Sequence, residues 1–424
     1  HLPNTVKTLQ PIHVGDSQSI DLYLNQKTEN NLLISASLQE TRTKNYLSQY
    51  FSPWQRMSYG RVAYYRHYEN GQINAYRGNL GIGENFQAHR PVWFQRIEAN
   101  IDIAHFPNSN QDAIAIDNTY VRLFPTIEPH FGATHVAGSG YPLDDFQLSV
   151  EWAGTPLHVL HYTQDGAWAF VLTPSVSGWV RTESIATVDD AFISQWHQKQ
   201  FAALIQRKQG IRDSQWYYRF EGYLGAIFPF IQSTSTGLEI LIPVKDINNQ
   251  AAIKTTTLSH EKAALMLWSA TPAHVALLIK QLLGEPYGWG GLYFYGDCSS
   301  TLKGLYTPFG IWLPRNSAAQ ALAYKNISLQ TLSPEERRAA ILKQGKPWMT
   351  LISVTGHVML YIGESQGEVM TFQNVWAMVT MSRTNQVGRD VIGRAVLMSL
   401  KLSYGETGMF PQIDADNLRM TFLN

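Results

Sequence analysis

The sequence predicts a multidomain α+β chain, and three observations carry that reading. At 424 residues the chain exceeds what one compact core accommodates, so three or four domains are expected. Its texture changes along its length, from polar loops with helical pieces, to short alternating strands, to helices, and back to strands. Charged residues make up 16% against roughly 25% in average globular domains, while aromatics reach 12%, an excess that suits small β-barrels and binding clefts.

Charge and hydropathy remove several function classes. The 33 basic and 33 acidic residues cancel and form no long runs, so neither a nucleic-acid footprint nor an anionic-membrane binder is indicated. No stretch approaches the roughly 20 apolar residues of a transmembrane helix. The chain begins at His1 rather than Met, which reads as a processed or trimmed form.

Four regions follow in order. Residues 1–108 read as an N-terminal structural or clamping segment, with a helical piece over Glu40 to Phe51 and then Ser52-Pro53-Trp54. Residues 109–190 carry short strands. Thr155 to Tyr162 alternates at period two, Gln164-Asp165-Gly166 supplies a hairpin turn, and Trp168-Ala169-Phe170-Val171 and Gly178-Trp179-Val180 follow. That series resembles a bacterial SH3-type barrel. Residues 191–258 read as a second barrel, with strands over Gly222 to Phe230 and Leu238 to Val244. Residues 259–424 turn helical, over Glu261 to Trp268, then from His274 to Leu283 with Pro272 at the helix start, and again near Ser317 to Tyr324. Strands follow from Trp348 onward.

Cys298 is the only cysteine. A lone thiol can form neither an internal disulfide nor a thiolate metal cage, which leaves a buried filler or a nucleophile. Ahead of it lies the loop Tyr287-Gly288-Trp289-Gly290-Gly291, which no core helix would use. After it, Ser299 to Tyr306 can form a short helix with Asp297 or a nearby serine as N-cap. A sulfur at the positive end of a helix is expected to favour the thiolate.

Helix, Gly/aromatic loop, Cys at a helix start and then a strand with His is an order that resembles the NlpC/P60 cysteine peptidases. The similar stretches are Gly284 to Gly291, Asp297-Cys298-Ser299-Ser300, Gly310 to Gln320 and Gly356-His357-Val358-Met359-Leu360-Tyr361. With both SH3-like units, the resemblance extends to the multidomain subgroup across nearly the whole chain. It implies a papain-like catalytic domain and cleavage of the γ-D-glutamyl–diamino acid bond in peptidoglycan stem peptides.

In that reading Cys298 attacks the amide carbonyl, and His357 takes the thiol proton and returns it to the leaving amine. A third polar residue orients the imidazole. The family usually offers a histidine there, whereas this chain has Phe372-Gln373-Asn374-Val375-Trp376. By resemblance Gln373 takes the role. Hairpin arithmetic leaves Asn374 as its competitor, because a one-residue slip exchanges the two faces. The resemblance also implies that Asp297 and Ser299 read a free N-terminal amine, and that Arg315 and Ser317 hold the D-Glu α-carboxylate. From the first barrel, Tyr162 and Glu183 are the candidates for walling the cleft. No cofactor or metal is expected.

Other features read as structural. His158 and His161, three apart on a strand, point to opposite faces. His130 and His135 read as surface residues of a Gly-containing loop. Gly78, Gly81 and Gly83 do not follow dinucleotide-binding spacing.

The expectation is therefore a stem-peptide hydrolase of cell-wall turnover, monomeric and acting on peptides with a free L-Ala. Its rivals are an enzyme on intact cross-linked wall and a catalytically weak wall-peptide binder. Export to the periplasm or cell envelope after loss of a signal segment is expected, with the cytoplasm as the alternative.

Overall fold

The computed structural model describes residues 9–133, 135–381, 385–401 and 410–424. A short strand β1 (Leu9–Pro11) opens the described chain. Three helices follow: α1 (Ala36–Tyr50), α2 (Tyr59–Arg77) and α3 (Pro91–Ile101). Ser35 and Ser58 cap α1 and α2 through side chains that accept from Leu38 and Arg61 amides, and Pro91 opens α3. α1 and the turn after it are bonded to distant parts of the chain. The hydroxyl of Tyr50 donates to the Gly154 carbonyl at 2.6 Å, Trp54 Nε1 to Ala113 at 2.8 Å, and Gln39 Nε2 to Trp268 at 2.8 Å and Phe309 at 3.1 Å. The segment from Gln39 to Trp54 thus ties together everything that follows.

The first barrel is built from β2 (Gln111–Ala115), β3 (Thr119–Arg122), β4 (Gln147–Glu151), β5 (Pro156–Tyr162), β6 (Trp168–Leu172), β7 (Ser177–Arg181) and β8 (Ile185–Thr187). They form one antiparallel sheet in the order β4-β3-β7-β6-β5-β2-β8. Trp179 of the Gly-Trp-Val strand is fully buried, and its indole N–H donates to Glu69 of α2 at 2.9 Å. The tryptophan that marks the barrel in the sequence therefore anchors it to the N-terminal helices.

A short helix α4 (Asp190–Trp196) leads to the second barrel: β9 (Phe201–Leu204), β10 (Lys208–Arg212), β11 (Tyr218–Tyr223), β12 (Ile227–Thr234), β13 (Gly237–Lys245), β14 (Ala251–Leu258) and β15 (Ala263–Leu265). β15 corrects the helix expected over Glu261 to Trp268. Ala263 to Leu265 instead pair with Ala202 to Leu204 of β9, because the sheet edge offers backbone partners and an apolar bed that outweigh local helix propensity.

The last region contains α5 (Pro272–Leu282), α6 (Cys298–Tyr306), α7 (Ser317–Ala321), β16 (Asn326–Ser328), α8 (Pro334–Gln344), β17 (Thr350–Val354), β18 (His357–Ser365), β19 (Glu368–Met381), β20 (Val387–Ser399) and β21 (Arg419–Phe422). Its sheet runs β1-β20-β19-β18-β17-β21-β16, with β1 parallel to β20 and the rest antiparallel. On one face α5 and α6 bury Val275, Leu278, Leu302 and Leu305 against Val358, Leu360 and Ile362. The opposite face packs Ile341 of α8 with Met359, Tyr361 and Val369.

Candidate active site

α6 begins at Cys298 because Asp297 caps it. The Asp297 carboxylate accepts the Ser300 amide at 2.9 Å while the Ser300 hydroxyl accepts the Asp297 amide, a reciprocal capping box. Cys298 is 9% exposed, in the core between α6 and the sheet. The backbone N–H groups of Ser299 and Val358, the latter next to His357 at the start of β18, lie near enough to the Cys298 sulfur to favour the charged form. The helix start and the strand start are thereby joined at the thiol.

Two influences compete for the thiol proton. The helix terminus and these two N–H donors favour the thiolate. Burial, followed by the nearby Asp297 carboxylate, opposes them and pushes the Cys298 pKa up to about 12. This direction runs against the thiolate expected from the helix start, because desolvation in this packed position outweighs a short helix. His357 is also held neutral, since burial lowers its pKa against the opposing effect of Gln373.

His357 Nε2 lies 2.8 Å from Gln373 Oε1. The hairpin explains why Gln373 and not Asn374 reaches it. Gln366 and Gly367 form a two-residue turn with both residues left-handed (φ 52° and 80°), setting the pair Ser365↔Glu368. Continued unchanged, that register would give the His357 face to Asn374. A bulge leaves Ile362 unpaired between Tyr361↔Thr371 and Gly363↔Met370, shifts the register by one, and hands the face to Gln373. Asn374 turns the other way and donates to the Gly296 carbonyl at 2.8 Å and to the Thr301 hydroxyl at 3.0 Å.

Asp297, Ser299 and Arg315 form one cluster. The guanidinium gives Nη2 to Asp297 at 2.7 Å and Nη1 to Asp297 at 3.2 Å and to the Ser299 hydroxyl at 2.9 Å. Burial alone would raise the Asp297 pKa, but the Arg315 charge and its hydrogen bonds hold it below the ordinary value. Ser317 opens α7 two residues beyond Arg315. The first barrel reaches this cluster directly, since Arg315 Nε donates to the Ser149 hydroxyl of β4 at 2.7 Å. Ser149 and Arg315 also border a cavity of about 130 Å³ whose walls include Glu151 and Lys303.

Tyr162 and Glu183 are corrected as cleft residues. The Tyr162 hydroxyl bonds Gln111 at 3.3 Å, and Glu183 pairs with Arg181 at 3.6 Å, both within their own barrel. The barrel presents β4 to the site instead. His130 is not a surface residue either: it is 1% exposed and bonded to Asp145 at 2.8 Å and to the Asn79 carbonyl at 2.9 Å. His158 and His161 keep separate partners, Asp112 and the Ile101 carbonyl, but the opposite faces expected from their spacing are corrected: a bulge between Val159 and His161 pairs them with Leu172 and Phe170, which share a face.

Two contributors had no separate signal in the sequence. Tyr287 was visible as part of the Gly/aromatic loop, but its place was not: burial, then the nearby Cys298 and Asp297, pushes the pKa of its hydroxyl up beside the thiol. Ser149 lies 166 residues from Arg315, a distance no local pattern spans.

Comparison with known proteins agrees with this architecture. Residues 284–385 match the NlpC/P60 family, 129–181 an SH3 domain of SH3b1 type, 189–235 an SH3 domain of SH3b2 type, and 2–106 the N-terminal NLPC_P60 stabilising domain. No curated protein matches the chain. Among solved structures, a novel NlpC/P60 endopeptidase from Photobacterium damselae subsp. piscicida is 27% identical, with a TM-score of 0.88 over 98% of each chain. An NlpC/P60 family protein from Bacillus cereus is 15% identical, with a TM-score of 0.49 over 74% of this chain and all of that one. The chain is a multidomain member of the NlpC/P60 family, with a stabilising N-terminal domain and two SH3 domains ahead of its NlpC/P60 domain.

Proposed function

We propose that this protein is a cysteine peptidase that hydrolyses the bond between γ-D-Glu and a diamino acid in peptidoglycan stem peptides. One observation carries the reading: the buried thiol at the start of α6 packs with Val358 at the start of β18, next to His357, which is in turn held by Gln373. Membership of a cysteine-peptidase family and the likeness to an endopeptidase over the whole chain support it.

The neutral thiol and neutral imidazole set the order of events. Sγ attacks the carbonyl carbon as its proton passes to the His357 nitrogen not bonded to Gln373, so charge separates only as the C–S bond forms. The oxyanion takes the Cys298 N–H, and the nearby Tyr287 hydroxyl turns to donate as well. The C–N bond then breaks, and the imidazolium gives its proton to the leaving amine. Water attacks the thioester through the same base and restores the thiol.

The Arg315–Asp297 pair supports recognition of a zwitterionic end. A substrate ammonium joins Asp297 and an α-carboxylate joins Arg315, exchanging one internal ion pair for two intermolecular ones. Ser299 and Ser317 complete that pocket, and Ser149 and Glu151 of β4 are its wall. A free amine at the end of the peptide places the enzyme in turnover of released stem peptides.

The test uses L-Ala-γ-D-Glu-diaminopimelate, its N-acetylated form and whole sacculi, with mass-spectrometric readout. Cleavage of the free tripeptide by wild type and not by Cys298→Ala is expected, with loss on thiol alkylation. Equal cleavage of the acetylated peptide overturns amine recognition. Digestion of sacculi alone overturns the turnover role. Binding without cleavage by both proteins overturns the peptidase reading.

A further inference from the structure

Gln373 is fully buried, and all four hydrogen-bonding positions of its amide are filled. Its Oε1 lies 2.8 Å from His357 Nε2 and 2.7 Å from Gln412 Nε2. Its Nε2 donates to the Thr371 hydroxyl at 2.8 Å and to Gln412 Oε1 at 3.0 Å. Gln373 and Gln412 are thus a reciprocal amide pair, joined from distant parts of the chain. Gln412 is 6% exposed and Thr371 is 0% exposed, so water does not compete at either.

An amide placed beside an imidazole has an ambiguity that its surroundings must resolve. It can present either its oxygen or its nitrogen, and the choice dictates which imidazole nitrogen carries the proton. Here the choice is fixed from outside the pair. The Thr371 hydroxyl donates its only proton to the Met398 carbonyl at 2.8 Å, so its oxygen can only accept from Gln373. That forces Gln373 Nε2 toward Thr371 and Oε1 toward His357. Turning the amide over would set Oε1 against the Thr371 lone pairs and would break both bonds of the pair with Gln412.

From this chain of donors we infer that Gln412 and Thr371 are positioning residues which lock His357 as its Nε2–H tautomer. Nδ1 is then left unprotonated as the base, and Gln373 substitutes for the family's histidine. The proton order runs from His357 Nε2–H to Gln373 Oε1, from Gln373 Nε2–H to Thr371 Oγ1, and from Thr371 O–H to the Met398 carbonyl. Gln412 closes the amide against rotation. Neither residue touches a reacting atom. The inference rests on the peptidase reading for its kinetic consequences, but not for the tautomer itself.

The test combines imidazole ¹⁵N NMR of the full chain labelled at histidine, with His357→Gln assigning the resonance, and steady-state kinetics on the free tripeptide. Wild type is expected to show protonated Nε2 and unprotonated Nδ1. Thr371→Val and Gln412→Leu are expected to give a mixed or reversed tautomer. Their kcat should fall about tenfold or more with KM within about twofold, since general-base catalysis contributes ~10²–10⁴. Gln412→Glu keeps an acceptor for Gln373 and brings a charge near His357, so the acid limb of its kcat/KM profile should move to higher pH, which a merely structural role would not do. Should Gln412→Leu fail to fold, Thr371→Val decides. A wild-type Nδ1–H tautomer overturns the inference, as does an unchanged tautomer and kcat in folded Thr371→Val. If wild type cleaves no stem peptide while Thr371→Val still shifts the tautomer, the lock stands and only the peptidase reading falls.

Discussion

Arg315 and Asp297 are bonded to each other by two guanidinium–carboxylate contacts, at 2.7 and 3.2 Å, with only 10% and 11% of their side chains exposed. The two residues proposed to read substrate charge are therefore each other's counter-ion. Replacing one alone strands the other. Asp297→Ala should cost about 3 kcal/mol, from the stranded guanidinium plus the lost cap of α6. The double variant with Arg315→Ala should be less damaged than the sum of the singles, which a denaturant double-mutant cycle measures. Because Asp297 is held below its ordinary pKa, this contribution is complete above pH of about 4 and is lost as pH falls through the folded value.

Cys298 should behave as a protonated thiol at neutral pH. With its pKa pushed up to about 12, first by burial and then by Asp297, iodoacetamide should react slowly at pH 7 and faster as pH rises. No thiolate absorbance step should appear between about pH 5 and 9. A step in that range would show a preformed thiolate–imidazolium pair instead. His357, lowered by burial, stays neutral at pH 7, so kcat/KM should fall only on the acid side of its ordinary value of 6.5.

Glu69 couples α2 to the first barrel in a pH-dependent way. Burial raises its pKa to about 8, with the Trp179 N–H opposing, and Oε2 has no hydrogen-bond partner. The folded state therefore holds a proton that the unfolded chain releases near its ordinary value of 4.5. Stability should decline as pH rises from about 4.5 to 8, by a few kcal/mol in all. Glu69→Gln should flatten that slope, with a higher melting temperature than wild type at pH 8 and little difference at pH 5. Parallel melting curves across this range would refute the protonated carboxyl.

The Gly290-Gly291 loop is pressed against β4. Gly291 has φ of 89°, and a Cβ there would sit 2.6 Å from Val150 Cγ2, while Gly290 (φ 59°) would meet the Gln147 carbonyl at 2.7 Å. Gly291→Ala combines left-handed strain with a clash and should cost about 2 kcal/mol. It should also raise KM by loosening the contact between barrel and site. An unchanged KM and midpoint would show that this close approach is dispensable.

Much of the site was legible because its chemistry is local. A lone cysteine, an aspartate cap and a Gly/aromatic loop lie within a dozen residues, and helix capping alone places Cys298 at the first turn of α6. The strand alternation of the first barrel was equally plain, since period two follows from the pleat. The Glu261 to Trp268 stretch misled because its propensity is helical while its actual partner, β9, lies some sixty residues earlier.

By itself the sequence determined the α+β class, the two barrels and the place of Cys298 at a capped helix start. Each depends on periodicity, capping or a run of neighbouring residues. The tertiary structure decided three further matters. It chose Gln373 over Asn374 through a bulge at Ile362, which pairing arithmetic could not place. It set the thiol's proton affinity, because desolvation depends on what packs around Cys298. And it brought Ser149 to Arg315 and Gln412 to Gln373, contacts that exist only once the chain has closed on itself.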